Sequence, residues 1–296
     1  MGVTITTFLL AAFACWQRII LTCLAVVCLC AAIKHSAPLL YESPYNSMYI
    51  SEQENGVYNE GVKTRSLLSG RYIQSAIRLN DPDELYLRYT KFFTLGPALV
   101  PDAKTVLMLG GGGMSVPKWF LADTQSFSKY ATMDVVEIDP LMTEVAKKHF
   151  FFKDSERVTV YHEDGRIFLN RNTKKYDIVF IDVFKEGTVP FHLMTVEAMT
   201  HIRNALTENG VICMNCIAAL DSLLFALIHT TLTNVFSNVK VFYITSQEPD
   251  KEQNIMLLAG QKNLELQDNP FLGNEYNYVA KGDIEPLTDN FAPVDL

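Results

Sequence analysis

Val106-Leu-Met-Leu-Gly-Gly-Gly-Gly-Met114 is an apolar run that breaks into four glycines, and Val136-Glu-Ile-Asp139 is a second apolar run that closes on acids. The spacing between them leaves room for one helix. Strand, glycine turn, helix and a second strand ending in a carboxylate describe a nucleotide-type pocket. Glycine lets the backbone approach a ligand closely, and the carboxylate can accept hydrogen bonds from both hydroxyls of a ribose. A glycine loop alone is a weak signal, and the strand, helix and acid around it make it specific. Two more acids, Asp164 and Asp182, stand at the ends of later apolar runs.

Working outward, apolar runs at Thr105–Leu109, Met133–Glu137, Val158–Tyr161, Ile178–Asp182, Val211–Asn215, Val239–Ile244 and Ile255–Leu258 read as strands. Helix-like stretches separate the first six, among them Pro140–Phe150, Val196–Leu206 and Ala219–Phe236. This alternation predicts an α/β fold with a largely parallel sheet covered on both faces. The last two runs are too close for a helix between them, so an antiparallel hairpin is expected at one edge. Six alternating strands plus a hairpin strand is the Rossmann-like layout of the S-adenosylmethionine-dependent methyltransferase sheet. Its ligands lie outside the carboxyl ends of the strands, where the glycine loop and the acids fall.

Upstream, Tyr41 to Gln74 reads as short strands broken by Glu54-Asn-Gly56, Asn59-Glu-Gly61 and Ser69-Gly70, a small antiparallel β unit. A helix is predicted from Pro82 to Phe93, with Asp81 as its cap and Gly96-Pro97 as its stop. The segment Phe8 to Ile33 is almost wholly apolar apart from Gln17 and Arg18, and is read as a retained single membrane anchor in preference to a cleaved signal. The expected organisation is residues 1–35 as anchor, 36–97 as β unit with linking helix, and 98–296 as nucleotide-binding catalytic domain.

A net charge of −8 without a basic stripe argues against nucleic-acid binding. Four of the six cysteines lie in the apolar N-terminal segment. The other two, Cys213 and Cys216, are three apart in a strand and so face opposite sides, which suits buried thiols better than a bridge or a metal. His149, His162, His192, His201 and His229 show no metal spacing, and no metal is expected.

Within the pocket, Gly110, Gly111, Gly112 and Gly113 are expected to present backbone to the ligand, and Glu137 to hold the ribose. Asp164-Gly165 stands where an adenine edge is read, or caps a helix over Arg166–Leu169; both roles can coexist. Asp182 could orient or deprotonate an amine, or complement a sulfonium's charge.

With these residues placed, the chain resembles the spermidine synthase (polyamine aminopropyltransferase) family over roughly Tyr41 to Leu296, in its membrane-anchored branch. The family's aromatic-Gln entry to the first strand is represented by Tyr45-Asn46, and its hairpin motif by Leu68-Ser-Gly70-Arg-Tyr-Ile-Gln74. Its Tyr-Gln pair corresponds to Tyr86-Leu87, its glycine loop to Gly110–Ser115, and its catalytic loop to Asp182-Val-Phe-Lys185-Glu186. Glu137-Ile-Asp139 and Asp164-Gly165 are intact, and Leu287 to Asp295 looks like the tails of the anchored branch. The resemblance implies that Asn46, Gln74, the four glycines, Glu137, Asp164 and Gly165 bind the donor. It makes Asp182 the proton acceptor, with Tyr86 and Glu186 against the amine substrate. It implies no tightly bound cofactor, decarboxylated S-adenosylmethionine or S-adenosylmethionine as co-substrate, a homodimer, and a catalytic domain on the cytosolic side of a membrane.

Three positions depart from the family pattern: an acid is replaced by Gly113, another by Lys185, and the Gln by Leu87. Each departure removes an acceptor for an ammonium group. The sequence therefore supports an aminopropyltransferase making spermidine from an amine such as putrescine. It also leaves open an S-adenosylmethionine-dependent methyltransferase or related transferase with another acceptor, and a membrane-tethered nucleoside-binding protein without turnover.

Overall fold

The computed structural model describes residues 16–24, 39–183, 190–244, 248–266, 271, 274–280 and 282–291. Residues 1–39 and 40–296 separate into two compact units. In the first, residues 16–24 form a helix, α1, which carries Gln17 and Arg18. No helix among the described residues is long and apolar enough to cross a membrane, which overturns the expected single-pass anchor and membrane localisation.

The second unit holds two sheets. The smaller is an antiparallel meander, β1-β2-β3-β4, built from β1 (Leu39–Glu42), β2 (Ser47–Gln53), β3 (Thr64–Ser69) and β4 (Tyr72–Arg78). Ser69 pairs with Tyr72, so Gly70 and Arg71 form the two-residue turn, with Gly70 at φ +55° supplying the left-handed conformation such a turn needs.

The larger sheet comprises β5 (Thr105–Leu109), β6 (Thr132–Val136), β7 (Val158–Tyr161), β8 (Tyr176–Ile181), β9 (Leu206–Ala218), β10 (Asn238–Tyr243), β11 (Gln253–Gly260) and β12 (Glu275–Tyr276). Their order is β12-β10-β11-β9-β8-β5-β6-β7, with β5 to β9 parallel. The expected hairpin forms between β10 and β11, but β11 inserts antiparallel beside β9, and β12 extends the edge beyond β10. Strand residues alternate between two apolar layers: Leu107, Leu109, Val179 and Ile181 join one, while Val106, Met108, Ile178 and Phe180 join the other. That alternation is why the runs read as continuously apolar, since both faces are covered. Cys216 lies in the first layer and Cys213 in the second, both buried as thiols.

Helices follow the strands: α3 (Ser115–Ala122), α4 (Pro140–His149), α5 (Gly165–Arg171), α6 (Val196–Ala205) and α7 (Leu223–Val235). Four have side-chain caps: Asp139 with Pro140 at the first position, Asp164, Thr195 and Ser222. The predicted helix at Pro82–Phe93 is different. Leu85, Tyr86 and Leu87 are buried, Leu87 is extended, and a 3-10 helix (Arg88–Thr94) leads into α2 (Leu95–Leu99). Gly96-Pro97 does not stop this helix but lies in its first turn, where a missing N–H costs nothing.

Candidate active site

Strand order reverses around β5, which has β6 on one side and β8 on the other. The turns leaving β5, β6 and β8 therefore meet above the sheet. Gly110 sits at φ +85°, and a side chain there would place its Cβ 2.1 Å from the Asp182 carbonyl oxygen. Only glycine lets these two strand ends approach so closely.

Two cavities open at this point. The smaller, of about 300 Å³, is lined by Asn46, Gly110, Glu137, Asp164 and Gly165 among others, with apolar walls that include Met142 and Leu193. The larger, of about 440 Å³, is lined by Gly111, Gly113, Ser75, Tyr89, Asn215 and Asn254 among others. Gln74, Gly112 and Asp182 line both. The predicted glycines, Asn46, Gln74, Glu137, Asp164, Gly165 and Asp182 are thus brought together.

Glu137 does more than face the smaller cavity. Its Oε2 accepts from the Gly111 and Gly112 amides at 2.8 and 3.0 Å, and its Oε1 accepts from the Asp139 amide at 3.0 Å. It is 6% exposed, and burial raises its pKa against the lowering effect of those amides. A carboxylate offers about four acceptor sites, so three amides leave one for a ligand hydroxyl. Asp139 caps α4 through Leu141 N–H, while its Oδ2 accepts from Ser43 Oγ at 2.6 Å and Asn46 Nδ2 at 2.9 Å. Asn46 therefore ties the small sheet to the Glu-Ile-Asp turn. Asp164 caps α5 with Oδ1, accepting from Arg166 and Ile167 amides, and turns Oδ2 toward His192 Nε2 at 2.9 Å.

Asp182 lies at the junction. Its Oδ2 accepts from Tyr89 Oη and its Oδ1 from Asn215 Nδ2, both at 3.0 Å. Asn215 Oδ1 in turn accepts from Asn254 Nδ2 at 3.0 Å. Burial pushes the Asp182 carboxyl up to about 6, the Asn215 and Tyr89 bonds oppose that rise, and the Glu137 charge adds to it.

Tyr86, expected against the amine substrate, is corrected by the structure. It is 2% exposed, its hydroxyl accepts from the Val57 amide at 2.8 Å, and it lines neither cavity. Tyr89, three residues on and inside the 3-10 helix, supplies the phenol beside Asp182. The sequence signal for Tyr89 was its i+3 spacing from Tyr86, which puts the two on one helical face only if the helix already runs through both. Asn215 and Asn254 had no motif to announce them. Lys185 and Glu186 lie outside the described residues.

The spermine/spermidine synthase domain family matches residues 91–268. The polyamine aminopropyltransferase of Vibrio vulnificus is 29% identical over 238 residues, which cover 73% of this chain and 78% of that protein. A probable spermidine synthase from Corynebacterium glutamicum has a similar fold, with a TM-score of 0.66 at 21% identity over 76% of this chain and 81% of that one. Human methyltransferase-like protein 13, solved in complex with SAH, gives 0.53 at 25% identity over 63% and 87%. With that match across more than half its length, the chain belongs to the spermine/spermidine synthase domain family of transferases.

Proposed function

We propose that the protein transfers an aminopropyl group from decarboxylated S-adenosylmethionine to an amine at the junction of the two cavities. The carrying observation is Asp182, a deep carboxylate with a pKa near 6, held by two donors where both cavities meet. Such a group is ionised at neutral pH and still basic enough to take a proton. The adenosine half of the donor occupies the smaller cavity, with its ribose at the free acceptor site of Glu137 and its base toward Asp164. The sulfonium then sits beside Gly112 and Asp182.

The amine nitrogen attacks the methylene carbon bonded to sulfur, and the new C–N bond forms as the C–S bond breaks. The electron pair of that bond goes to sulfur, leaving a neutral thioether nucleoside. The nitrogen's surplus proton passes to Asp182. Tyr89 and Asn215 fix the carboxylate's orientation, so the nucleophile is positioned as well as deprotonated.

Full-length protein supplied with decarboxylated donor and putrescine should give spermidine and methylthioadenosine by mass spectrometry, and Asp182→Asn should abolish both. Donor binding without product from any amine would refute transfer, and undiminished turnover by the variant would refute the role of Asp182. A methyl-transfer reading is favoured by one observation, Gly113, which leaves the cavity without an acid at that position; methylated product from S-adenosylmethionine would establish it.

A further inference from the structure

The larger cavity carries a charge pattern that the transfer reading does not use. Two guanidinium groups line it: Arg71, at the β3–β4 turn, and Arg88, at the first residue of the 3-10 helix. Arg71 lies 5.1 Å from the Tyr72 ring centroid and donates to the Tyr72 hydroxyl at 2.9 Å. Arg88 lies 4.5 Å from the centroid of Tyr58. Both contacts are to aromatic rings, and among the described residues no carboxylate lies within 4.0 Å of either guanidinium.

Among the described residues, the acids lining this cavity are Asp182 and Glu252. Glu252 is exposed and already interacts with the charge of Arg71. A ligand with an ammonium at each end would satisfy Asp182 with one and bring the other toward two guanidiniums against one carboxylate. A ligand with an amine at one end and a carboxylate at the other meets opposite charge at both. Gly113 contributes no acid; the Ser75 hydroxyl lies against it, paired with the Ser115 hydroxyl at 2.9 Å, and both serines line the cavity. Hydroxyls can donate to a carboxylate.

We propose that the larger cavity binds an aminocarboxylate, with its amine at Asp182 and its carboxylate at Arg71 and Arg88. This rests on the transferase reading for the meaning of the site and changes its ligand, an aminocarboxylate standing in place of the diamine or of the decarboxylated donor. The same chemistry can come from the acceptor, as an amino acid, or from the donor, as the carboxylated tail of S-adenosylmethionine.

Calorimetric binding to the full chain separates the sources and does not depend on turnover. With methylthioadenosine bound, γ-aminobutyrate is compared with putrescine; in parallel, S-adenosylmethionine is compared with its decarboxylated form. A carboxylate-bearing acceptor or donor binding at least about tenfold tighter than its carboxylate-free counterpart supports the proposal and identifies the source. The double variant Arg71→Ala/Arg88→Ala should erase that preference while methylthioadenosine affinity stays within about twofold. If putrescine and the decarboxylated donor bind as tightly as their carboxylated counterparts, or the double variant leaves the preference intact, the proposal is overturned. Failure of the transferase reading is seen separately, as absent product in the turnover assay, and does not alter these binding ratios.

Discussion

Replacing Asp182 with Asn should stabilise the fold at alkaline pH while abolishing transfer. The folded protein holds the Asp182 carboxyl near 6, whereas an unfolded chain holds it near 3.9. The fold thus favours the protonated form. The group's contribution to stability is complete below about pH 4 and is lost as pH rises through about 6. A gap of about two pKa units corresponds to at most about 3 kcal/mol, and water in the adjoining cavities lowers that toward about 2 kcal/mol. Asn is isosteric and keeps both partners. Its carbonyl accepts from Asn215 Nδ2, and its amide donates to the Tyr89 oxygen once that hydroxyl rotates. The variant therefore removes a buried charge, and the Tyr89 hydroxyl hydrogen, freed from the carboxylate, turns into the larger cavity that Tyr89 lines.

Urea unfolding at about pH 8 and about pH 4 measures this directly. The variant should exceed the parent by about 2–3 kcal/mol at the higher pH and match it at the lower, other titrating groups cancelling in the comparison. Transfer should fall at least about a hundredfold. A variant that is less stable at alkaline pH, or whose stability difference is the same at both pH values, would refute the assignment of Asp182 as a strained, buried base.

Tyr89→Phe should raise the acid limb of the pH–rate profile by about one unit, because the carboxylate loses a charge-assisted hydrogen bond of about 1.5 kcal/mol. Tyr86→Phe should leave that limb in place and cost about 1 kcal/mol of stability through the Val57 amide; the reverse pattern would restore the sequence expectation for Tyr86. Gly113→Asp should destabilise by about 1–3 kcal/mol, since its Cβ would come within 2.6 Å of Ser75, and Ser75→Gly in the same chain should recover most of the loss in urea midpoint. Unchanged stability of the single variant counts against that packing. Glu137→Gln should weaken methylthioadenosine binding at least about tenfold, because one amide oxygen cannot replace a carboxylate that accepts three backbone amides; undiminished affinity would show that the loop holds its shape without Glu137.

The parallel core was legible because both its faces are buried, so β5 and β8 stand out as apolar runs with sharp ends. Caps such as Asp139-Pro140 and Ser222 are local chemistry and could be read directly. What escaped depends on contacts distant in sequence. Glu137 as a brace requires knowing that the glycine amides fold back onto it across 25 and 26 residues. The identity of the phenol beside Asp182 turns on where the helix after Pro82 begins, and that is set by burial of Leu85 to Leu87 rather than by helix propensity. The placement of β11 between β9 and β10 likewise follows from pairing, not from its own sequence. For the N-terminal run, apolarity over Phe8 to Ile33 fits a span by composition, yet among the described residues no helix is long and apolar enough to cross a membrane.

The two halves of the site are built from different materials, and this bears on which half can change its chemistry. The smaller cavity is shaped by glycine turns and buried carboxylates whose oxygens are committed to backbone amides. A substitution there disturbs the strand ends themselves, as the 2.1 Å approach at Gly110 makes plain. The larger cavity is specified at its rim by side chains on a hairpin turn and a 3-10 helix, where Arg71 and Arg88 are exposed. Surface substitutions of that kind usually cost less than about 0.5 kcal/mol. Side chains at the rim can therefore change at almost no expense in stability, whereas those at the strand ends cannot. Gly113 lies between these regimes. Ser75 fills the space its side chain would need, so placing an acid there takes two coordinated changes.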